Sequence, residues 1–384
     1  MRLILANSGR RWIGEVGHCA LLYRELVRRG HHVWLVCRRG QPLEAQARRE
    51  GWPHLALQFS GGFRPWGDGG DAWALYRLLR REQIELIHAH RGKDHWLAAA
   101  AALPAGVPIV RTRHVVTPVR QHPFNRWLYR HATAALVSVS RAAEASLGPL
   151  VERVPLRRTI LSAVDLEAFH PRRRSDGWRS DPARRLGADE IIWVGLIGRF
   201  QAIKGQRVFL EAAERVAAAC PQARFFMSGR SRAGKRRKFR DLAQRAGFGD
   251  RLRLQGWLTD VPEAMASLDL GVVASLGSEG SSRVTLEYMA SGVAVVASAV
   301  GGIPEILAPG DGEPFGRLVP PGDASALAEA LVDLARDGCR RRRLALRGRH
   351  QAEARHGPAA WAEAIEAVYR QVLAARRLPS TAGT

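Results

Sequence analysis

Lysine is nearly missing from this chain. Of 59 basic residues only Lys93, Lys204, Lys235 and Lys238 are lysines, and the rest are arginines. Cysteine is equally scarce. Cys19, Cys37, Cys220 and Cys339 are scattered, and no two form a CxxC pair. That pattern excludes a disulfide framework and the common zinc motifs, and it points to a reducing cytoplasm. No apolar run approaches the roughly 18 residues needed to span a membrane. The apolar run in the opening MRLILANSGRRW is too short for a signal peptide. Acidic residues are outnumbered 36 to 59, leaving a net charge of +23. Such a field attracts polyanions: nucleic acid, an anionic membrane surface or phosphorylated substrates. Arginine in place of lysine is also what a GC-rich genome writes, so a functional and a compositional origin both stay open.

What is present is ordinary for a globular chain. With 46% hydrophobic and 25% charged residues, the composition excludes collagen, coiled coil and wholesale disorder. A length of 384 residues exceeds what one hydrophobic core usually holds, so two domains are expected. Short apolar runs alternate with helical periodicity. The runs are Arg2–Ala6, Val33–Cys37, Ile84–His88, Pro108–Arg111, Ala135–Ser140 and Thr159–Ser162, and then Ile191–Gly198, Arg224–Ser228, Arg251–Gln255, Leu270–Ser275 and Ala294–Ser298. Continuous apolar runs suit strands buried on both faces, and their alternation with helices predicts two doubly wound parallel sheets of Rossmann type. Val164 to Arg185, rich in charge and poor in periodicity, reads as a linker. The expected domains are 1–169, 170–358 and a C-terminal helical segment 359–384 that crosses back to the first. Ligands of such sheets bind at strand carboxyl ends, so two facing domains would enclose a cleft.

The most specific stretch runs from Ser278 to Leu307. Glu279 is expected in a loop after the strand Leu270–Ser275, and Glu287 on a helix beginning near Ser282. A Gly280-Ser281-Ser282 turn opening a helix offers backbone N–H groups and a positive dipole end, which suits a phosphate. Arg199 and Lys204 flank a turn after another strand, where two cations can clamp a diphosphate. Gly229, Arg230, Trp257 and Leu258 fall at neighbouring strand ends. In the first half, Gly14 and Gly17 form a loose glycine loop without the G-x-G-x-x-G fingerprint. His88 and His90 alternate on a strand end, so only one is expected to face the cleft. That pair lacks a third ligand, and no metal is expected.

Glu279-x7-Glu287, followed by Met289-Ala-Ser-Gly292 and Gly301-Gly-Ile-Pro-Glu305, resembles the nucleotide-sugar site of family 4 retaining glycosyltransferases of the GT-B fold. In the same order as in that family stand Gly14-x-x-Gly17, His88-Ala-His90, Arg111-Thr-Arg-His114, Val164-Asp-Leu-x-x-Phe169, Gly198-Arg-Phe200, Lys204-Gly205 and Gly256-Trp257. The resemblance implies two Rossmann-like domains and transfer of a sugar from a nucleotide diphosphate donor, with no cofactor. It implies that Arg199 and Lys204 hold the diphosphate, Glu287 the ribose, and Glu279 and His114 the sugar. Gly14 and Gly17 would approach the donor phosphates, the backbone of Gly280 to Ser282 would add donors, and Gly229, Arg230, Trp257 and Leu258 would line the base and ribose pocket. Ser281, Ser282 and Arg283 depart from the bulky apolar residues common after the first Glu-Gly, and Ser162-Ala163 stand where Asn-Gly is usual. A cell-envelope acceptor, such as lipopolysaccharide core, fits the charge.

Pro118 to Arg130 interleaves Phe124, Trp127, Leu128 and Tyr129 with Arg120, Arg126 and Arg130. That mixture suits anionic lipid headgroups or, equally, a core-packed helix with a basic rim. The runs from Arg230 to Arg240 and Arg340 to Arg343 read as solvated helix faces. Two rival readings are a nucleotide-sugar epimerase of the same fold and a basic nucleic-acid-binding protein. For the second, the chain lacks helix–turn–helix, RNP and zinc-finger signals, so no nucleic acid partner is expected.

Overall fold

A computed structural model describes residues 1–60, 65–179, 191–229, 233–277, 279–310 and 312–377. The chain divides into two compact units: Met1–Ser162 with Pro358–Thr384, and Ala163–Gly357.

Unit 1 holds strands β1 (Arg2–Asn7), β2 (His32–Arg38), β3 (His54–Leu57), β4 (Leu86–Ala89), β5 (Ile109–Arg113), β6 (Ala135–Ser138) and β7 (Leu156–Thr159), in the order β3-β2-β1-β4-β5-β6-β7. Every pairing is parallel. Its helices are α1 (Gly14–Arg28), α2 (Pro42–Arg49), α3 (Pro65–Arg81), α4 (Gly92–Ala105), α5 (Pro123–His131) and α6 (Arg141–Ala145). Leu75, Leu79, Leu97, Ala98 and Leu128 from α3, α4 and α5 cover one face of this sheet, over Ile4, Val36 and Ile87.

Unit 2 repeats the plan with β8 (Ile192–Ile197), β9 (Ala223–Ser228), β10 (Leu252–Gln255), β11 (Leu270–Val273), β12 (Ala294–Ser298) and β13 (Arg317–Val319), in the order β10-β9-β8-β11-β12-β13. All pairings are again parallel. Its helices are α7 (Asp176–Arg179), α8 (Gln206–Ala219), α9 (Ala233–Arg245), α10 (Val261–Ala266), α11 (Arg283–Ala290), α12 (Ile303–Leu307), α13 (Ala324–Arg336) and α14 (Gly338–Arg355). Phe209, Val216, Phe225 and Leu331 fill one side of the sheet, and Leu286, Met289, Ile303 and Ile306 fill the other. The final helix, α15 (Pro358–Arg377), belongs to unit 1 and packs on α1. Among the described residues no helix is long and apolar enough to cross a membrane.

The stretch expected as a linker is structural over its described part. Val164 and Phe169 are buried in the core of unit 2, and the Val164 N–H donates to the His356 carbonyl at 3.0 Å. Arg179 is fully buried. Its guanidinium donates to the Ser267 and Ile191 carbonyls at 2.7 and 2.9 Å and to the Asp269 carboxylate at 2.9 Å. The changeover therefore falls between Ser162 and Ala163 rather than between Phe169 and His170. An arginine that is buried by donating to carbonyls and a carboxylate is invisible to an apolar-periodicity argument. The edge strands β3 and β13 are too short and too partly exposed to register as apolar runs, and β7 begins at Leu156 rather than near Thr159.

Glu366 on α15 carries the contact with the end of α1. It accepts from Arg29 Nε at 2.6 Å and from Arg370 at 2.5 Å, and it lies 3.1 Å from His31. Burial raises its carboxyl, but the Arg29 hydrogen bond and the neighbouring cations outweigh burial and hold it below its ordinary value of 4.5. A carboxylate lowered in the folded state contributes stability that is complete above its unfolded value and is lost as pH falls through the folded one. Glu366→Gln should therefore lower the urea midpoint at pH 6. The gap from wild type should close as pH falls below 4.5. A gap of constant size down to acid pH would sink this account.

Candidate functional site

In both units the strand order reverses next to the first strand, between β1 and β4 and between β8 and β11. Open parallel sheets bind ligands at the carboxyl side of that switch point.

In unit 2 the loops leaving the strand ends are tied to one another. The Gly198 N–H donates to the Ser228 carbonyl at 2.8 Å and the Gly229 N–H to the Gly256 carbonyl at 3.1 Å. Across the switch point, the Leu276 N–H donates to the Ile203 carbonyl at 2.9 Å, and between the loops after β11 and β12 the Gly302 N–H donates to the Glu279 carbonyl at 2.8 Å. Two approaches are so close that only glycine serves. A Cβ on Gly205 would stand 1.8 Å from the Ala274 carbonyl oxygen, and one on Gly301 would stand 1.9 Å from the Glu279 carbonyl oxygen; both have positive φ, +67° and +57°.

These ties bring Lys204 onto the Glu279 carboxylate as an ion pair. The same oxygen accepts from Ser275 Oγ at 2.5 Å. Glu279 is buried and Lys204 mostly so. Ser282 precedes α11 with φ +34°, an unfavourable conformation for a residue with a Cβ, and its hydroxyl lies 2.8 Å from that of Thr285. Among the described residues nothing accepts from the N–H groups of Gly280, Ser281 and Ser282, and backbone donors at the start of a helix suit an anion. Glu287 lies on α11, 3.4 Å from Arg283. Burial raises its carboxyl, against the opposing charge of Arg283. The neighbouring Tyr288 is fully buried and locks α11 to β8: its hydroxyl donates to the Gly195 carbonyl at 3.1 Å and accepts from the Ile197 N–H at 3.0 Å. Arg199 is exposed directly after β8, and among the described residues no acceptor meets its guanidinium. Leu258 is buried, whereas Trp257 is 62% exposed and is no core residue. Arg230 lies outside the described residues.

Unit 1 has its own carboxyl edge. Gly14 and Gly17 are the first turn of α1, with the Gly17 N–H donating to the Ile13 carbonyl, rather than a glycine loop; the loop is the preceding stretch, 8–13. Asp94, at the start of α4, accepts from the N–H groups of Ser8 and Arg91, each at 2.9 Å, and Glu15 pairs with Arg91. His114 follows β5, partly buried, with its Nε2 at 3.0 Å from His90 Nδ1. Burial and the neighbouring cationic groups lower both imidazoles, so both are neutral near pH 7. The expected split between His88 and His90 does not occur. Residues two apart on a strand share a face, and these rings are both buried and stacked at 4.4 Å. The sequence reading missed His18. It lies four residues along α1 from Gly14, hence on the same helix face, and its ring is 4.6 Å from that of His114. Ser275 and Asp94 were also missed, since neither carries a motif.

Comparison with known proteins matches residues 14–161 to the model described as Glycosyltransferase Family 4, and residues 191–337 to the model for glycosyl transferases group 1. A phosphatidyl-myo-inositol mannosyltransferase of Mycobacterium leprae is 32% identical over 71% of this chain and 70% of its own length. A 2-deoxystreptamine N-acetyl-D-glucosaminyltransferase of Streptomyces fradiae is 29% identical over 69% and 66%. The chain thus spans about two thirds of the length of these relatives. A crystal structure of Anabaena Alr3699/HepE with UDP and glucose shares the fold, with a TM-score of 0.79 at 20% identity over 96% of this chain and 99% of that one.

The Lys204–Glu279 pair invites a double-mutant cycle. Lys204→Met leaves the buried Glu279 without its cation and should destabilise unit 2 by about 3–5 kcal/mol. Adding Glu279→Gln should restore most of that loss, as read by chemical denaturation. Additive losses would mean that the two side chains do not interact.

Proposed function

This chain belongs to glycosyltransferase family 4, with the GT-B fold, and from that premise we propose that it transfers a sugar from a nucleotide diphosphate sugar to a hydroxyl of a lipid-linked or phosphorylated envelope glycan, such as lipopolysaccharide core, with retention at the anomeric carbon. The observation that carries this reading is the cluster at the unit 2 switch point. A lysine paired with a buried carboxylate, an exposed arginine after β8 and a row of N–H groups at the start of α11 lie on the loops at the strand carboxyl ends.

Departure of a nucleoside diphosphate leaves negative charge on phosphate oxygens. Arg199, Lys204 and the N–H groups of Gly280 to Ser282 are the donors assigned to stabilise it. Lys204, released in part from Glu279 by a phosphate, leaves that carboxylate free to accept from sugar hydroxyls. Glu287, one turn into α11, is assigned to the ribose hydroxyls, and Gly229, Trp257 and Leu258 to the base and ribose surroundings. Gly14, Gly17 and His114 of unit 1 are assigned to the donor on the family resemblance. A neutral imidazole at His114 donates or accepts without adding charge. The acceptor hydroxyl attacks from the side of the leaving group, and the departing phosphate takes its proton.

A screen of UDP-, GDP-, ADP- and TDP-sugars by thermal shift tests the reading, since a ligand bound to the folded state raises its melting temperature. No shift with any donor would undercut it. Calorimetry with the matching diphosphate divides the roles further. Glu287→Ala should weaken nucleotide binding, and Glu279→Ala should spare it while damaging transfer. Arg199→Ala should lower turnover at least about 100-fold, equivalent to about 2.7 kcal/mol of transition-state stabilisation. Equal losses of affinity in both glutamate variants would show that the roles are wrongly drawn.

An anionic acceptor and a cytoplasmic membrane surface agree with the charge of +23 and with one face of unit 1. On α5, Leu128 and Tyr129 turn inward, while Phe124 and Trp127 are 71% and 45% exposed beside the exposed Arg126 and Arg130. Aromatic rings flanked by arginines match the headgroup region of an anionic bilayer. Flotation with anionic vesicles should therefore fall as salt rises, and Arg126→Gln with Arg130→Gln should reduce it. Indifference to lipid charge would end the membrane reading.

A further inference from the structure

Three imidazoles from three elements meet at the carboxyl edge of the unit 1 sheet. His18 stands on α1, His90 follows β4 and His114 follows β5. One ring nitrogen from each lies within 4.8 Å of the other two. His90 Nδ1 and His114 Nε2 are 3.0 Å apart. Two nitrogens that each sit about 2.0–2.1 Å from one tetrahedral ion are roughly 3.3–3.4 Å from each other. A shift of a few tenths of an ångström would thus place both on a common ion.

The surroundings suit ligation. His90 is 1% exposed, and its Nδ1 is the ring nitrogen that faces His114 Nε2. His18 Nδ1 lies 3.3 Å from Ser162 Oγ, the kind of outer contact that orients a metal-bound imidazole through its other nitrogen. His88 stacks on His90 and is itself held by Thr112 Oγ1 and Tyr369 Oη, each at 2.5 Å. Trp361 covers His18 edge-on at 4.6 Å.

We propose that His18, His90 and His114 form a binding site for a divalent late transition-metal ion, Zn²⁺ or a chemical equivalent, with a coordination position left open. Three imidazoles and no carboxylate select zinc, copper, nickel or cobalt over magnesium, calcium and manganese, which favour oxygen. The charge of Arg111, which already bears on these rings, opposes a dication and makes the site weaker than a structural zinc site. The ion would occupy the lone pair that His114 otherwise offers a sugar, so metal and donor would exclude each other. That consequence rests on the role given to His114 above; the binding itself does not.

Full-length protein freed of metal and titrated with Co²⁺ alone, followed by visible absorption, tests the site. One cobalt per chain should bind with the strong d–d bands of four-coordinate metal, and Zn²⁺ should displace it. His114→Ala, which alters a partly buried residue at a strand end, should weaken binding at least about tenfold. His122→Ala and His350→Ala, which remove exposed histidines, should leave it unchanged. His90→Asn gives a second variant should the first fold poorly by circular dichroism. Unaltered cobalt binding in either folded variant, or only the weak bands of six-coordinate cobalt, would overturn the proposal. Since no donor enters this measurement, a failed donor screen and a failed cobalt titration are separate results.

Discussion

The unit 2 site depends on one desolvated contact, the ion pair between Lys204 and Glu279. It joins the loop after β8 to the loop after β11, on the two sides of the point where the strand order reverses. A charge pair removed from water is tolerable only when its remaining polar atoms are satisfied. Ser275 meets the carboxylate, and the backbone contacts between Leu276 and Ile203 and between Gly302 and Glu279 hold both loops in register. Gly205 and Gly301 are the sterically necessary parts, because any side chain there would push a carbonyl away from its place. The N–H donors at the start of α11 and the carboxylate of Glu287 take their positions from the same closed set of loops.

An excess of arginine over acid poses a packing problem, and the fold meets it with carbonyls. Arg179 donates to the Ser267 and Ile191 carbonyls and to the Asp269 carboxylate. Arg111, buried in unit 1, donates to the carbonyls of Ala89 and Thr112. Arg253 donates to the Trp178 carbonyl at 2.6 Å and lies over the Trp193 and Trp178 rings at 4.4 and 4.9 Å. A planar guanidinium with five donors can do this where a lysine ammonium could not. Arg199 remains exposed after β8, and among the described residues no acceptor meets its guanidinium.

The internal strands were legible because burial on both faces leaves a continuous apolar run, as in β2, β8, β11 and β12. Short edge strands were not, because β3 and β13 keep part of their surface in water and lose the run. The stretch after Val164 misled for the opposite reason. Its Arg179 is buried among hydrogen-bond acceptors, and hydrogen bonding rather than hydrophobicity places it.

Composition, the alternation of apolar runs with helical periodicity, and the ordered motifs ending in Glu279 and Glu287 determined by themselves the doubly wound fold and the family. Each is a local property of the chain, set by the spacing of side chains along a strand or helix. Tertiary structure alone decided which side chains meet: that Lys204 neutralises Glu279, that His18 joins His90 and His114, and that Trp257 and Trp127 lie outside the core. Those meetings depend on how loops from strands distant in sequence close over a sheet edge, and on where burial forbids water. No periodicity along the chain records either.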